Sequence, residues 1–362
     1  LHISRKTVLG PRDSRTLSNH ATLSRGYRLN EPQNNHQSGS RQRYIMQIAA
    51  FAGRLDFFKR HFVLALPYLT ILKVTNLLLN ELEFRLAKTR LKSLPPFIKI
   101  ESTPLCHLAC AGCVHSDRAF KKSLGNDRHL SLERVRAIVR PMKSYLIGAS
   151  LSYSGEPLLN RKLFPIVEHL HSQGIYTSFP TNLSLPISAE FAETIVKSGL
   201  DLMMVSLDGA SDETYRLFRI GGNYQLVRKN VKLLADTKKR LGKKRPYLLW
   251  KFIMFPHNLH EIPDAKRNVR AWGFDGIEFD LDHDSDAGLH EQVTTSTSVQ
   301  HALVTPKPCY WAWNTSTITW DGDVQPCCKQ MGEISLGDVA AGFSTVWNAD
   351  PYQNLRASFS KT

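Results

Sequence analysis

The chain has 362 residues, of which 42% are apolar and 22% are charged, so its composition is that of an ordinary globular protein and excludes a disordered or fibrous chain. Its length allows one large core with an appendage, or two domains. The net charge is +15, but no Arg/Lys stripe with interleaved aromatic residues and no helix-turn-helix or RNA-binding signature accompanies it, so nucleic acid is not expected as a partner.

Residues 1–45 are predicted to be a disordered basic tail. They are rich in Ser, Asn and Gln, show no apolar periodicity and hold eight Lys or Arg residues against Asp13 and Glu31. The apolar pattern begins at Met46, the first methionine, so we expect either that the tail lies upstream of the natural start or that the start codon is unusual. The N-terminus has no signal-peptide pattern, and we therefore expect a cytoplasmic protein with reduced thiols.

Residues 46–95 are predicted to form a helical N-terminal extension. The stretch 61–80 is the most apolar in the chain, yet it contains Pro67, Lys73 and Asn76. A membrane-spanning helix needs about 20 apolar residues with few or no charges. The pattern favours helices packed on the main domain, with a peripheral membrane contact through 61–80 as the alternative.

Residues 96–285 alternate between strands and helices. Strands are predicted at 97–102, 145–152, 175–179, 201–206, 247–255 and 276–280, with helices at 161–173, 188–198, 224–241 and 259–272. Connections of this length require parallel crossovers, so we predict an α/β fold with a parallel sheet or partial barrel. The residues suited to chemistry come just after strand ends, which is the catalytic face of α/β barrels.

Three cysteines stand close together after the first strand, in LCHLACAGCV (105–114): Cys106, Cys110 and Cys113. Thiolates are soft ligands that select zinc or the iron of iron–sulfur clusters. With His115 as a fourth ligand they would form a structural Cys3His zinc site in a non-catalytic module. Without it, a cubane cluster would keep one iron unclaimed by protein, where a substrate or cofactor could coordinate. Both interpretations stay open at this point.

The spacing Cys-x3-Cys-x2-Cys of CHLACAGC resembles the signature of the radical S-adenosylmethionine (SAM) superfamily. Three further motifs follow in order, each after a predicted strand. SGEPLL (154–159) is similar to the family's GGEP motif, PTNLS (180–184) to the end of its third strand, and SLDG (206–209) to its fourth-strand motif. The resemblance covers about 96–280 and implies a partial (βα)6 barrel.

The resemblance also implies the cofactors and their ligands. Cys106, Cys110 and Cys113 would hold a [4Fe–4S] cluster whose fourth iron is chelated by SAM. One electron from a flavodoxin- or ferredoxin-type donor would cleave SAM to a 5′-deoxyadenosyl radical, which abstracts hydrogen from the substrate. The SAM-binding positions are Gly155 and Glu156 for the ammonium, Asn182, and Ser206 for the ribose or carboxylate.

One position departs from the family pattern. An aromatic residue commonly precedes the third cysteine and packs on the adenine, whereas this chain has Gly112. Adenine must then stack elsewhere, and a degenerate member that binds a cluster without turnover is an alternative. His107, in place of the usual Asn, is interpreted as a neutral loop substitution.

A second cysteine group, Cys309, Cys327 and Cys328, lies in the C-terminal segment 286–362. Its spacing resembles the opening of the SPASM extension, which in full form carries two auxiliary [4Fe–4S] clusters. No cysteine follows Cys328 in the remaining 34 residues, so we expect either a truncated sequence or a reduced extension. We predict one auxiliary cluster, with inert buried thiols as the alternative. The Asp-Gly pair in 315–328 predicts a hairpin with a type I′ turn.

Two polar features and the substrate are left undecided by the sequence. DLDHDSD (280–286) either grips a cationic or hydroxylated substrate or is a solvated acidic loop. Lys251, inside an apolar strand, either lines the barrel interior or reaches solvent at an edge. A peptide or protein side chain and a small metabolite are both candidate substrates.

Overall fold

A nine-stranded sheet organises the computed structural model, which describes residues 61–281, 309–327 and 334–360. In chain order its strands are β1 (Phe97–Ile100), β2 (Gly148–Ser150), β3 (Tyr176–Thr181), β4 (Leu202–Ser206), β5 (Tyr247–Met254), β6 (Gly276–Leu281), β7 (Thr315–Ile318), β8 (Asp323–Gln325) and β9 (Gly337–Asp338). Their spatial order is β6-β5-β4-β3-β2-β1-β7-β8-β9. All pairs from β6 to β7 are parallel, and the last two pairs are antiparallel.

Helices precede, connect and follow the strands. They are α1 (Ile71–Arg85), α2 (Arg118–Leu124), α3 (Leu132–Val139), α4 (Leu163–Ser172), α5 (Ala189–Lys197), α6 (Asp212–Phe218), α7 (Tyr224–Arg240), α8 (Ile262–Asn268), α9 (Trp311–Asn314), α10 (Phe343–Trp347) and α11 (Asp350–Ser360). Local sequence sets their ends: the Ser188 side chain caps α5 by accepting from the amide of Phe191, and Gly199, with φ of +83°, follows it. The predicted α/β fold with six parallel strands is confirmed.

The two faces of β5 separate the core from the polar interior. Trp250 is fully buried and stacks on Trp272 and Phe274 on the helix-covered side of the sheet. Because successive strand residues point to opposite faces, Lys251 lies on the other side, where it is in register with Ser206 of β4. This opposite face carries the polar side chains of the candidate site.

The seventh parallel strand was not predicted. Strand β7 belongs to the C-terminal segment, yet it pairs with β1 over four residues from Phe97 to Ile100 and so extends the barrel sheet. The predicted hairpin is present as β7 and β8, but the prediction of a type I′ turn is wrong. Thr319 still pairs with Asp323, so the loop has three residues, and Gly322 at its end has φ of +106°. Such loops place glycine at a left-handed position.

The N-terminal extension packs at the start of the parallel strands. A short 3-10 helix, Leu66–Tyr68, precedes α1, and Tyr68 clusters with apolar residues at the beginnings of β3, β4 and β5. Its hydroxyl donates to Asp201 at 2.6 Å. The extension therefore covers the end of the sheet away from the cysteine loop. Among the described residues, no helix is long and apolar enough to cross a bilayer.

Candidate metal and cofactor site

One cavity of about 630 Å³ contains every described residue that the sequence nominated for the SAM cluster and SAM. Its lining includes the three thiols of the loop after β1 and the four SAM-binding candidates: Cys106, Cys110, Cys113, Gly155, Glu156, Asn182 and Ser206. The candidates lie beyond the carboxyl ends of β1, β2, β3 and β4. Parallel strands bring these ends together at one edge, which is why motifs separated in sequence share a cavity.

The cysteine loop is held from both sides by backbone contacts. The amides of Ala109 and Ala111 donate to the carbonyls of Ile220 and Phe218, each at 3.0 Å. The segment after α6 therefore fixes the middle of the loop. At Gly112 the backbone has φ of +71°, a left-handed conformation that favours glycine. An aromatic residue at this position would be strained in the same conformation.

Each thiol of the loop has one polar side chain close to its sulfur. The pairs are Asn182 Nδ2 with Cys106 Sγ at 3.9 Å, Arg219 Nη1 with Cys110 Sγ at 3.7 Å, and His115 Nδ1 with Cys113 Sγ at 3.5 Å. Hydrogen bonds to cluster sulfurs are a main means by which a protein sets cluster potential.

The surroundings shift the pKa values of the three thiols in different directions. Burial raises the pKa of Cys106 to about 12 and also raises the pKa of Cys110, where Arg219 opposes it. Burial acts in the same direction on Cys113, but hydrogen bonds with His115 outweigh it and lower that pKa. Metal binding requires thiolates, so iron would have to displace the protons that burial retains on the first two thiols.

The contacts of His115 do not suit a role as the fourth ligand of a metal site. Its Nε2 lies 2.8 Å from the carbonyl oxygen of Pro104, which can only accept, so Nε2 carries a proton and Nδ1 faces Cys113. The ring is buried and packs edge-on against Phe120. Both ring nitrogens are thus engaged, which disfavours the Cys3His zinc alternative.

The donor set fits an iron–sulfur cluster better than a closed metal site. Three soft thiols face a shared cavity, and the nearest nitrogens are hydrogen-bonded. Within residues 61–281, 309–327 and 334–360, no group of three or more His, Cys, Asp or Glu side chains is gathered tightly enough to enclose a single ion. Cys106, Cys110 and Cys113 line one cavity and would supply the three protein ligands of such a cluster.

Gly155 lies against the backbone that leads into the cysteine loop. A Cβ atom added there would be 2.2 Å from the carbonyl oxygen of Thr103 and 2.5 Å from that of Leu105. The next amide, of Glu156, donates to the same Leu105 oxygen at 2.8 Å. Glycine is therefore required for the close approach of the two loops.

The Glu156 carboxylate is buried and already accepts three hydrogen bonds. The donors are the Thr181 hydroxyl at 2.6 Å and the amides of Asn182 and Leu158 at 2.7 and 3.1 Å. Burial raises the pKa of this carboxyl, although these donors oppose the shift. A carboxylate has about four acceptor positions, so one remains for a further donor.

Asn182 lies in a loop and Ser206 at a strand end. The Asn182 side-chain oxygen accepts from the amide of Ser184 within a loop, while its nitrogen faces Cys106. Ser206 ends β4, is buried and lines the cavity.

A buried ion pair that no sequence motif indicated lies in the same region. Asp208, in SLDG, accepts from Arg219 Nε at 2.6 Å and from the amide of Ile253 at 2.7 Å. Both side chains are mostly buried, at 0% and 13% exposure. Nothing in the local pattern of FRIGG (218–222) marks this arginine. Its partners are set by packing.

Two lysines lie on the polar face of the sheet. Lys251 forms an ion pair with Asp280 at 3.2 Å, which answers how the strand accommodates its charge. Lys99 lines the cavity, and its Nζ lies 5.4 Å from the centre of the Trp311 ring. Asp282, His283, Asp284 and Asp286 of the acidic segment lie outside the described residues.

The second cysteine group is described in part. Cys309 and Cys327 are half-buried free thiols at the two ends of the segment that carries α9 and the hairpin. Cys328 lies outside the described residues.

Comparison with known families decides the classification. A family model of the radical SAM superfamily matches residues 100–249, and a model of an iron–sulfur cluster-binding domain, SPASM, matches residues 309–362. The chain carries a radical SAM domain followed by a SPASM domain. These matches confirm the predicted radical SAM enzyme class, its [4Fe–4S] and SAM cofactors, and the short SPASM-like extension.

The similarity to a curated radical SAM relative is partial. A probable GTP 3′,8-cyclase of Methanococcus maripaludis strain C5 is 27% identical over 142 residues, which is 38% of this chain and 45% of the relative. The chain spans about half the length of the curated relatives it matches.

Solved radical SAM structures share the fold. SuiB of Streptococcus suis bound to the precursor peptide SuiA matches with a TM-score of 0.56 at 13% identity, over 76% of this chain and 69% of SuiB. The protein anSMEcpe with bound AdoMet and the Kp18Cys peptide matches with a TM-score of 0.53 at 15% identity, over 74% and 84% of the two chains. At these identities the likeness establishes the architecture.

Proposed function

We propose that this chain binds a [4Fe–4S] cluster through Cys106, Cys110 and Cys113, binds SAM in the same cavity, and modifies a peptide or protein side chain. The observation that carries the proposal is the shared cavity of about 630 Å³, in which the thiols and the SAM-binding candidates meet. When bound, the reduced cluster and SAM together supply a 5′-deoxyadenosyl radical able to abstract hydrogen.

The remaining steps belong to the protein's own side chains. Gly155 and Glu156 would present a backbone carbonyl edge and the one free acceptor position of the carboxylate to the SAM ammonium. Ser206 would donate to the ribose or carboxylate, and Asn182 would hold the sulfur of Cys106. Asp208 fixes Arg219 beside Cys110, so that a positive charge lies next to the sulfur of this cysteine.

A peptide substrate is favoured by the fold neighbours. SuiB and anSMEcpe are both described with bound peptides, and each matches most of this chain. In this chain, Lys99 of the cavity wall lies beside the Trp311 ring, so a cation and an aromatic ring are available to polar and apolar side chains of a peptide. The electron donor would be of the flavodoxin or ferredoxin type, and a net charge of +15 favours encounter with an acidic donor.

A nucleotide is the second candidate substrate, because the curated relative is named as a GTP 3′,8-cyclase. The two candidates separate in one assay. Reduced, reconstituted enzyme is incubated with SAM and either GTP or a peptide pool, and consumption of SAM above the substrate-free rate is measured. Stimulation of SAM consumption by GTP and not by the peptide pool would contradict the peptide proposal and support a nucleotide substrate.

We further propose one auxiliary cluster at Cys309, Cys327 and Cys328. The match of the SPASM model from residue 309 onwards supports it. Iron is counted after anaerobic reconstitution of the wild type and of the triple Ala variant of these cysteines. We expect up to about eight iron atoms in the wild type and about four in the variant. Equal iron in both proteins contradicts the auxiliary cluster.

The domain division that accompanies this function is an N-terminal extension at 46–95, a radical SAM core at 96–285 and a C-terminal extension at 286–362. Oxygen-sensitive clusters and reduced thiols suit the cytoplasm.

The test of the proposed activity is formation of 5′-deoxyadenosine from SAM under dithionite. The wild type should form it, and a Cys110→Ala variant should not. A wild type that binds iron but forms no 5′-deoxyadenosine would be a degenerate family member, and the proposal would be wrong.

A further inference from the structure

Helix α1 buries only polar residues fully and exposes several large apolar ones. All of its buried residues are polar or charged: Lys73, Asn76, Asn80 and Glu83. Four of its large apolar residues are more than half exposed: Ile71 at 84%, Leu72 at 53%, Leu78 at 64% and Leu82 at 52%. This is the reverse of the usual arrangement in a helix on the surface of a globular protein.

The buried polar face fixes the orientation of the helix. Asn76 both donates to and accepts from the backbone of Leu94, at 2.8 and 3.0 Å. Asn80 donates to the carbonyl of Trp313 at 2.7 Å, and Glu83 accepts from the amide of Lys92 at 2.7 Å. Rolling the helix to bury its leucines would leave these groups without partners, at considerable cost. The apolar face is therefore built to point outward.

The exposed apolar residues of the described chain are concentrated here. Nine of the fourteen large hydrophobic residues that are exposed lie between residues 62 and 86. Ile71, Leu78 and Leu82 are spaced by seven and four positions, so they align along one side of the helix. Contiguous exposed apolar surface of this kind marks a site of protein or membrane contact.

Cations border this apolar surface. Lys88, Arg90 and Lys92 follow the helix and are exposed. Lys143 is also exposed and shares a groove of about 600 Å³ with Ile71 and Leu72. We call these four residues the basic rim.

We propose that the outer face of α1 docks on an anionic lipid bilayer, with the leucines in the acyl boundary and the basic rim on the headgroups. An apolar helical face flanked by Lys and Arg is the arrangement of interfacial helices. The helix has 15 residues and is about 22 Å long, shorter than the roughly 30 Å bilayer core, so it would lie in the interface. A second copy is disfavoured because each chain has a net charge of +15.

The test is vesicle flotation of the full chain with two lipid compositions, phosphatidylcholine alone and phosphatidylcholine with phosphatidylglycerol. We expect binding to the anionic vesicles that weakens at high salt. The variant Ile71→Ser/Leu78→Ser/Leu82→Ser should bind at least about tenfold more weakly than the wild type. Lys88→Glu/Arg90→Glu should also reduce binding by about tenfold, since each cation near a charged surface contributes severalfold.

A matched pair of single variants controls for hydrophobicity alone. Leu78→Ser should weaken binding, whereas Leu217→Ser, on α6 and similarly exposed at 57%, should not. Circular dichroism checks that each variant folds, and sedimentation velocity measures association. No flotation of the wild type, equal flotation of the triple variant, or self-association through this face without lipid binding would each overturn the proposal. Flotation does not depend on the cluster or on SAM cleavage, so this proposal fails or stands separately from the proposed activity.

Discussion

Asp208 holds Arg219 through a contact of 2.6 Å between Oδ2 and Nε, and the same arginine reaches to 3.7 Å from the sulfur of Cys110. The fourth-strand motif is thereby connected to the cysteine loop by one buried side chain. An ion pair of this kind is costly to break, because either partner alone is a buried charge without compensation.

Removal of the carboxylate should therefore destabilise the fold. We expect Asp208→Ala to lower the free energy of unfolding by about 3–5 kcal/mol. The control Asp236→Ala removes the acid of an exposed pair with Lys232 and should cost less than about 1 kcal/mol. Urea unfolding followed by circular dichroism measures both. Equal costs for the two variants would show that the Asp208 pair is no more than a surface contact.

Gly155 should be required for cluster assembly. A methyl group at this position meets the Thr103 carbonyl at 2.2 Å, so Gly155→Ala must push apart the two loops that form the cavity. We expect it to retain less than about half of the wild-type iron after reconstitution. Gly174→Ala is the control, because Gly174 has a positive φ of +66° but no atom within 4 Å of the added Cβ. Its backbone strain of about 1–2 kcal/mol should leave iron content unchanged. Normal iron in Gly155→Ala would contradict the account of this contact.

Glu101 should make stability depend on pH. Its carboxylate accepts from the Ser154 hydroxyl and amide and from the Trp320 amide at 3.5 Å, so it connects the SGEP loop to the hairpin. Burial raises its pKa above the ordinary 4.5, although these donors oppose the shift. The folded state then binds more protons than the unfolded state above that value.

This difference in bound protons fixes the direction in which stability changes with pH. The contribution of Glu101 to stability is fully present below pH 4.5 and is lost as pH rises through the raised pKa. Glu101→Gln cannot titrate, so we expect the variant to lack this decline. The difference in urea midpoint between variant and wild type should therefore change across pH 4–8, with the wild type losing stability relative to the variant as pH rises. A difference that is independent of pH would refute the raised pKa.

Glu156 should be needed for SAM binding more than for iron. In Glu156→Gln one carboxylate oxygen becomes an amide nitrogen, which cannot accept a hydrogen bond. At least one donor among Thr181, Asn182 and Leu158 then loses its acceptor, at a cost of about 1–3 kcal/mol. We expect SAM affinity to fall at least about tenfold with iron content retained. Equilibrium dialysis with labelled SAM measures the affinity. Wild-type affinity in the variant would exclude this carboxylate from the SAM site.

The six strands of the core could be predicted because each is a short apolar run between turn residues, and the motifs Cys106–Cys113, 154–159, 180–184 and 206–209 each follow one of them. The pairing of β7 with β1 could not be predicted, since strands more than 200 residues apart carry no local signal for register. The same holds for Arg219, whose role depends on tertiary contacts with Asp208 and Cys110. Gly112 looked like a defect in the motif, and the positive φ gives its reason.

The central claim is that Cys106, Cys110 and Cys113 leave one iron for SAM. Electron–nuclear double resonance of the reduced, reconstituted protein with SAM carrying ¹⁵N in its amino group tests it directly. The account predicts a ¹⁵N coupling to the cluster that is absent without SAM. Absence of the ¹⁵N coupling, together with a nitrogen coupling from the protein that disappears in His115→Ala, would contradict the claim that SAM occupies the open iron.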